Sequence, residues 1–223
     1  IFRNLVRSHD KAECYELLTQ HIRQTQSELI MLSKQSFTEI TYGLFNDNIK
    51  SLRHAADVIS QEKDKWKRYR RKEIIGMRKI DYLLAVEKNT WFHLGCNSCS
   101  QMIYCLKRML EPCMEHVDNN FNPMPRAYAE QFSPICRDTE QMLQRVYDLI
   151  TTGDFSHADE VLVNGNALKS RISQIRHDIQ DQLQRENSNI KVILLYLNSL
   201  QETQELISAS RNLLRASRRF QQP

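Results

Sequence analysis

Glycine and proline are scarce in this sequence, which contains five of each among 223 residues. Hairpin and sandwich folds place these two residues at many of their turns, so a chain with so few has little room for such folds. Hydrophobic residues make up 41% of the sequence, which is enough to bury a sizeable core and excludes a disordered chain. We therefore expect an all-α protein built from long helices.

Apolar residues recur at intervals of three and four along six segments, a spacing typical of helices with one buried face. The breaks between the segments predict turns near positions 46, 120, 153 and 188, and a further turn near Val86–Asn89. The expected N-caps are Asp10, Asp47 or Asn48, and Ser156, and the expected helix end is at Gly153. Short turns place consecutive helices antiparallel. We therefore predict one domain over residues 1–223, an up-down bundle of six long antiparallel helices.

The sequence has six cysteines in surroundings that are helical rather than loop-like: Cys14, Cys96, Cys99, Cys105, Cys113 and Cys136. A chain of this size and hydrophobic content needs no disulfides, so we interpret them as reduced thiols of an intracellular protein. Cys96 and Cys99 have the spacing of redox and zinc motifs, but no second pair and no preceding strand accompanies them. A structural role is favoured for this pair, with redox or metal chemistry as the alternative.

Sequence signatures of catalysis are absent. The five glycines are scattered, so no glycine-rich loop is present to cradle a phosphate, and nucleotide hydrolysis is not expected. There is no nucleophile elbow and no His-Glu-x-x-His pair. A metal-dependent hydrolase on a helical bundle would need Glu-x-x-His repeats, and the nearest match is Asp154 with His157 at a helix start. The sequence thus favours a protein that is not an enzyme.

Oxygen and nitrogen donors crowd the end of the third predicted helix. Glu111 and Glu115 are four residues apart on one helical face, and His116 and Asp118 lie at the helix end. Such donors could converge on a divalent cation. The alternative is that Asp118 and Asn119 end the helix while the Glu and His side chains are solvated. Further acidic candidates are the pair Glu202 and Glu205 and the segment His157–Glu160.

A strongly basic stretch occupies ten residues of the second predicted helix. It contains seven cations around Trp66 and Tyr69: Lys63, Lys65, Lys67, Arg68, Arg70, Arg71 and Lys72. Its functional interpretation is attraction to an anionic membrane surface, at about 1 kcal/mol for each basic residue near that surface. The alternative is a solvated helix face. The net charge of +4 is too small to indicate nucleic acid, and no aromatic platform for RNA is evident.

The sequence begins Ile1-Phe2-Arg3-Asn4, without an initiator Met. It has no apolar run of the roughly 18 residues that a membrane-spanning helix needs. We expect the chain to be a fragment of a longer protein.

Several segments of the third and sixth predicted helices carry a family resemblance. They are Gln101–Leu106 running into Glu115–Asn120, and Leu194–Thr203 followed by Leu213–Ala216. Over most of positions 35–220, the chain resembles the cytoplasmic PhoU-like domain that follows the membrane part of some bacterial inorganic phosphate transporters. The resemblance implies two three-helix bundles, here about 10–118 and 127–220, and a regulator of phosphate uptake rather than an enzyme.

The same resemblance implies a location and partners. The location is the cytoplasmic side of the inner membrane, as part of an integral membrane protein. The partners are an upstream transmembrane transporter domain and a second copy of the chain in a homodimer. PhoU proteins hold iron or zinc on Glu/Asp-x-x-x-Asp motifs, which this sequence lacks, and Glu111 with Glu115 is its acidic pair at that spacing. The alternative function is a stand-alone PhoU-like adaptor that binds metal in phosphate signalling.

Overall fold

The computed structural model describes residues 1–185 and 189–223 of the chain, so most of the turn expected near position 188 lies outside the described residues. The described residues form seven helices and no strand. The helices are α1 (Phe2–Arg7), α2 (Lys11–Phe45), α3 (Ile49–Met77), α4 (Tyr82–Asp118), α5 (Arg126–Thr152), α6 (Ala158–Leu183) and α7 (Ile190–Gln221). The predicted all-α helical bundle is confirmed, with seven helices in place of six. The six long helices are α2 to α7.

The additional helix α1 has six residues, too few for a repeat of apolar residues to reveal it. Its Leu5 side chain is buried, with 1% exposed. Lys79 donates from Nζ to the carbonyl oxygens of Leu5, Val6 and Ser8, at the end of α1 where backbone acceptors lack helical partners. These contacts hold α1 against α2 and α3.

The turn predicted between α3 and α4 near Val86–Asn89 is wrong, because the chain turns at residues 78–81. Ile80 lies inside this turn and is nevertheless buried, so the apolar pattern continues through it without a break. Asp81 caps α4 by accepting hydrogen bonds from the backbone N–H groups two and three residues further on. Because Ile80 is buried within this short turn, the spacing of apolar residues does not reveal the boundary between α3 and α4.

The other helix ends agree with those expected from the sequence at three positions and differ at one. Asp10 and Asn48 each accept a hydrogen bond from the first turn of the helix that they begin. Gly153 ends α5 with a φ of 70°, in the left-handed region that glycine adopts without strain. Ser156 is not the N-cap of α6, since that position is His157, which makes no capping bond with its side chain.

The long helices pack as two neighbouring groups. The first consists of α2, α3 and α4, which contact one another, and the second of α5, α6 and α7, which do the same. Across the groups, α4 packs extensively against α7 and α2 packs against α5. The fully buried Tyr196 of α7 stacks on Tyr128 of α5, with 4.4 Å between ring centroids. In the described part of the chain, no helix is long and apolar enough to cross a membrane.

Candidate functional site

The four donors predicted as metal ligands at the end of α4 do not converge. Glu111 and Glu115 are exposed. His116 is buried, and its Nε2 lies 2.8 Å from a backbone carbonyl oxygen of the following loop. Asp118 pairs with Arg53 of α3 at 3.1 Å. The structure therefore does not bring the four donors together at one site.

The acidic candidates on α6 and α7 are separated by basic partners. The buried Glu202 accepts a hydrogen bond from Arg108 Nε at 3.1 Å, whereas Glu205 is exposed. Within His157–Glu160, the two carboxylates pair with arginines of two different helices. Among residues 1–185 and 189–223, no three His, Cys, Asp or Glu side chains lie close enough together to hold a metal ion.

Burial suppresses the reactivity of the Cys96 and Cys99 pair. The two residues are 2% and 0% exposed. Burial raises the pKa of the Cys96 thiol to about 12 and raises the pKa of Cys99 well above its ordinary value. The thiolate is the form that attacks substrates and binds metals, so such thiols are poor candidates for either role. These observations favour the structural interpretation of the pair.

The basic stretch of α3 presents an outward face made of Lys67, Arg68 and Arg71. All three side chains are exposed. None of them lies within ion-pair distance of an acidic group in the described part of the chain. Trp66 is not part of this face, since it is 5% exposed and donates from Nε1 to a serine of α4. The outward face therefore carries three cations without an ion-pair partner, and the exposed Asp64 lies one helical turn before them.

The other four cations of the stretch lie on the flanks of α3. Lys65 pairs with Glu28 of α2 at 2.8 Å, and the hydrogen bond from Lys65 to Glu28 raises the pKa of Lys65. Lys72 lies over the ring of Phe2, with 5.4 Å from Nζ to the ring centroid. The remaining two, Lys63 and Arg70, are half-buried. The predicted seven-residue cluster is thus divided between the outward face and the flanks of α3.

Two adjoining cavities follow α2 beside this stretch. The first, of about 600 Å³, lies between α2, α3 and α5, and its lining includes Glu28 and Lys65. The second, of about 550 Å³, lies between α1, α2 and α3, and its lining includes Arg3, His21 and Lys72. The first cavity mixes charges of both signs, whereas the charged residues that line the second are all basic.

The sequence pattern does not reveal the second cavity. Arg3 belongs to the unpredicted α1, and His21 lies next to Ile22 in the apolar stripe of α2. The one feature of the sequence that points to this cavity is a polar residue on a helix face that is otherwise apolar. His21 and Glu73 both give this signal, being 8% and 2% exposed beside apolar neighbours.

Comparisons of this chain with protein-family models, with curated proteins and with solved structures give no match. The function is therefore inferred from the geometry of the bundle and from the sequence resemblance.

Proposed function

We propose that this chain is a cytosolic, non-enzymatic regulatory domain of an inorganic phosphate transporter. It modulates phosphate uptake by binding an ion or a partner. The observation that carries this proposal is the way in which the two helix groups pair, α2 with α5 and α4 with α7.

Both pairings are antiparallel. The contacts that mark them are Ser27 with Thr151 and Lys34 with Gln144, then Lys88 with Arg219 and Arg108 with Glu202. A twofold axis between two three-helix units, perpendicular to the helices, brings the helices that lie beside the axis against their own counterparts in the opposite direction. The first helices of the two groups are α2 and α5, and the third helices are α4 and α7. This pairing supports two related three-helix units, the arrangement that the PhoU-like resemblance implies.

The two helices that contain the segments of the resemblance, α4 and α7, pack against each other. Cys113 Sγ on α4 lies 4.0 Å from Ser199 Oγ on α7. Asn198 donates from Nδ2 to the carbonyl oxygen of Arg108 at 3.2 Å. Residues packed together constrain one another's size and shape. The buried residues of these segments therefore support a shared fold more strongly than their exposed residues do.

The outward basic face gives the domain a surface that suits a position beneath a membrane. Lys67, Arg68 and Arg71 are exposed and unpaired by acidic groups among the described residues. Each contributes about 1 kcal/mol when it lies near an anionic lipid surface. We propose that this face lies against the cytoplasmic leaflet, next to an upstream transmembrane transporter domain.

The regulatory role is tested by deleting residues 1–223 from the transporter that carries them. Phosphate uptake is then measured in cells over a range of external phosphate concentrations, with the membrane level of both proteins determined by immunoblot. We expect the truncated transporter to respond differently to external phosphate. Unchanged uptake with an unchanged response would contradict the regulatory role.

The membrane contact has a test of its own. Lys67, Arg68 and Arg71 are replaced together by Gln, and co-sedimentation measures binding of the purified chain to vesicles of phosphatidylglycerol and phosphatidylcholine. Three lost contacts of about 1 kcal/mol each should weaken binding roughly a hundredfold. The matched control neutralises three exposed cations elsewhere, Lys50, Lys107 and Arg137. Equal weakening in the control would mean that net charge alone acts, and would contradict a specific face.

A further inference from the structure

We propose that the cavity between α1, α2 and α3 binds an oxyanion of the phosphate class. The cavity has a volume of about 550 Å³. Its lining has no carboxylate, and its polar residues include Arg3, Asn4, His21, Gln24, Tyr69 and Lys72. The inference rests on the proposed function only in choosing phosphate among oxyanions, since the cations alone argue for an anion.

Two of the lining cations are uncompensated. In the described part of the chain, neither Arg3 nor Lys72 has an acidic group within ion-pair distance. The Lys72 ammonium lies over the Phe2 ring, a contact that leaves its N–H donors available. An anion that enters the cavity therefore meets positive charge that no protein carboxylate has neutralised.

The histidine of the lining, His21, is positioned by a buried carboxylate outside the cavity. His21 Nδ1 lies 3.3 Å from Glu73 Oε1, at ion-pair distance but without hydrogen-bond alignment. Glu73 is 2% exposed and accepts a hydrogen bond from the Thr25 hydroxyl at 2.7 Å. With Nδ1 toward Glu73, the ring nitrogen that remains for a ligand is Nε2. In its protonated form the ring bridges Glu73 and an oxyanion, because both nitrogens then carry a hydrogen.

The wall formed by α1 is fixed in place. Leu5 is buried against the bundle, and Lys79 holds the C-terminal end of α1 through three backbone carbonyl oxygens. Arg3 and Asn4 lie one turn before this anchor. The backbone that carries these two residues is therefore ordered before the ligand arrives, which reduces the conformational entropy lost on binding.

The chemistry of the donors suits a phosphate group. A guanidinium forms two parallel hydrogen bonds to an oxyanion, and an ammonium adds a compact point charge. The volume exceeds that of one inorganic phosphate ion, so the same donors also accommodate the phosphate of a lipid headgroup. The two sources share the group that is recognised, and experiment separates them.

Isothermal titration calorimetry of the purified chain with inorganic phosphate, at constant ionic strength, tests the site. We expect saturable binding that Arg3→Gln and Lys72→Gln each weaken about tenfold, the effect of one charge-assisted hydrogen bond. Lys50→Gln and Arg137→Gln are the controls, at exposed positions outside both the cavity and the outward face of α3, and should bind as the unmodified chain does. Thermal unfolding followed by circular dichroism establishes that each variant is folded.

A second arm replaces free phosphate with phosphatidylglycerol vesicles and measures co-sedimentation of the same variants. Free phosphate binding that depends on Arg3 and Lys72 assigns the site to the ion. Vesicle binding with that dependence, in the absence of phosphate binding, assigns it to a headgroup. If neither ligand depends on these two residues, the site proposal is wrong. Should that happen while deletion of the domain still alters uptake, the regulatory proposal stands without this site.

Discussion

Arg108 Nε on α4 lies 3.1 Å from Glu202 Oε1 and 3.2 Å from Oε2 on α7, so one carboxylate binds one guanidinium across the interface of the two helix groups. The Glu202 side chain is 9% exposed and that of Arg108 is 45% exposed. The hydrogen bond from Arg108 to Glu202 raises the pKa of Arg108. Glu202, predicted as a metal ligand, is thus engaged in holding α4 to α7.

We expect this pair to couple α4 and α7 by about 1 kcal/mol, because it is partly exposed but well aligned. The measurement is a double-mutant cycle of Arg108→Gln and Glu202→Gln, with free energies of unfolding from urea titration. Glu205→Gln on the exposed side of α7 is the control and should change stability by less than about 0.5 kcal/mol. A coupling energy near zero would contradict the assigned role of the pair.

The fold was accessible from the sequence because long helices must repeat their apolar residues every three or four positions to bury one face. The same rule explains two of the departures from the predicted fold. α1 is too short to show a repeat, and the turn at residues 78–81 buries Ile80 in register with its flanking helices. The pairing of α2 with α5 and of α4 with α7 depends on contacts between distant segments, which periodicity does not encode.

The candidate site was accessible only in part. The basic stretch is visible in the sequence as a run of Lys and Arg residues. Its division into an outward face and two flanks depends on how α3 packs. The cavity combines Arg3, His21 and Lys72 from three helices. Nothing local in the sequence joins them, since their proximity results from α1 folding back over α2 and α3.

Gly43 marks a close approach between α2 and α3. A Cβ at this position would lie 2.6 Å from Leu52 Cγ and 3.1 Å from the carbonyl oxygen of Asn48. We expect Gly43→Ala to lower the free energy of unfolding by about 1–3 kcal/mol, because overpacking outweighs the better helix propensity of Ala. Gly95→Ala is the matched control, since its nearest contact is Gln26 Nε2 at 3.2 Å. Urea unfolding of both variants tests the difference, and an undiminished stability of Gly43→Ala would refute it.

Glu62 should make the fold less stable as pH rises. Burial raises the pKa of its carboxyl above the ordinary value of 4.5, Lys65 opposes the shift and Glu28 adds to it. The folded chain therefore keeps this proton to a higher pH than the unfolded chain, and the stability it contributes when protonated is lost above pH 4.5. Glu62→Gln should be more stable than the unmodified chain at pH 7 and similar to it at pH 4.

Chemical denaturation at the two pH values measures this effect. Glu16→Gln, at an exposed position of α2, is the control and should change stability equally at both. If the stability of Glu62→Gln relative to the unmodified chain is the same at pH 4 and pH 7, burial does not destabilise the charged form of the Glu62 carboxyl.

The cysteines should be unreactive in the folded chain. Burial raises the pKa of Cys105, Cys113 and Cys136 to about 12, as it does for Cys96. The thiolate fraction at neutral pH is then about a thousandfold below that of a free thiol. We expect maleimide labelling at pH 7.5 to be slow in buffer and to reach all six cysteines in guanidinium chloride. Rapid labelling of the folded chain at Cys96 would instead favour the redox interpretation.

Lys79 should control the order of α1 without stabilising the bundle as a whole. Its ammonium donates to three carbonyl oxygens at the end of α1 but does not line the phosphate cavity. We expect Lys79→Met to speed hydrogen exchange in α1 at least about tenfold, because hydrogen bonds from a charged group are lost. Phosphate binding should also weaken in the Lys79→Met variant, because the helix that carries Arg3 is then less ordered. Arg78→Met, at the exposed neighbouring position, should change neither. Undisturbed exchange in α1 of the Lys79 variant would mean that Leu5 alone anchors this helix.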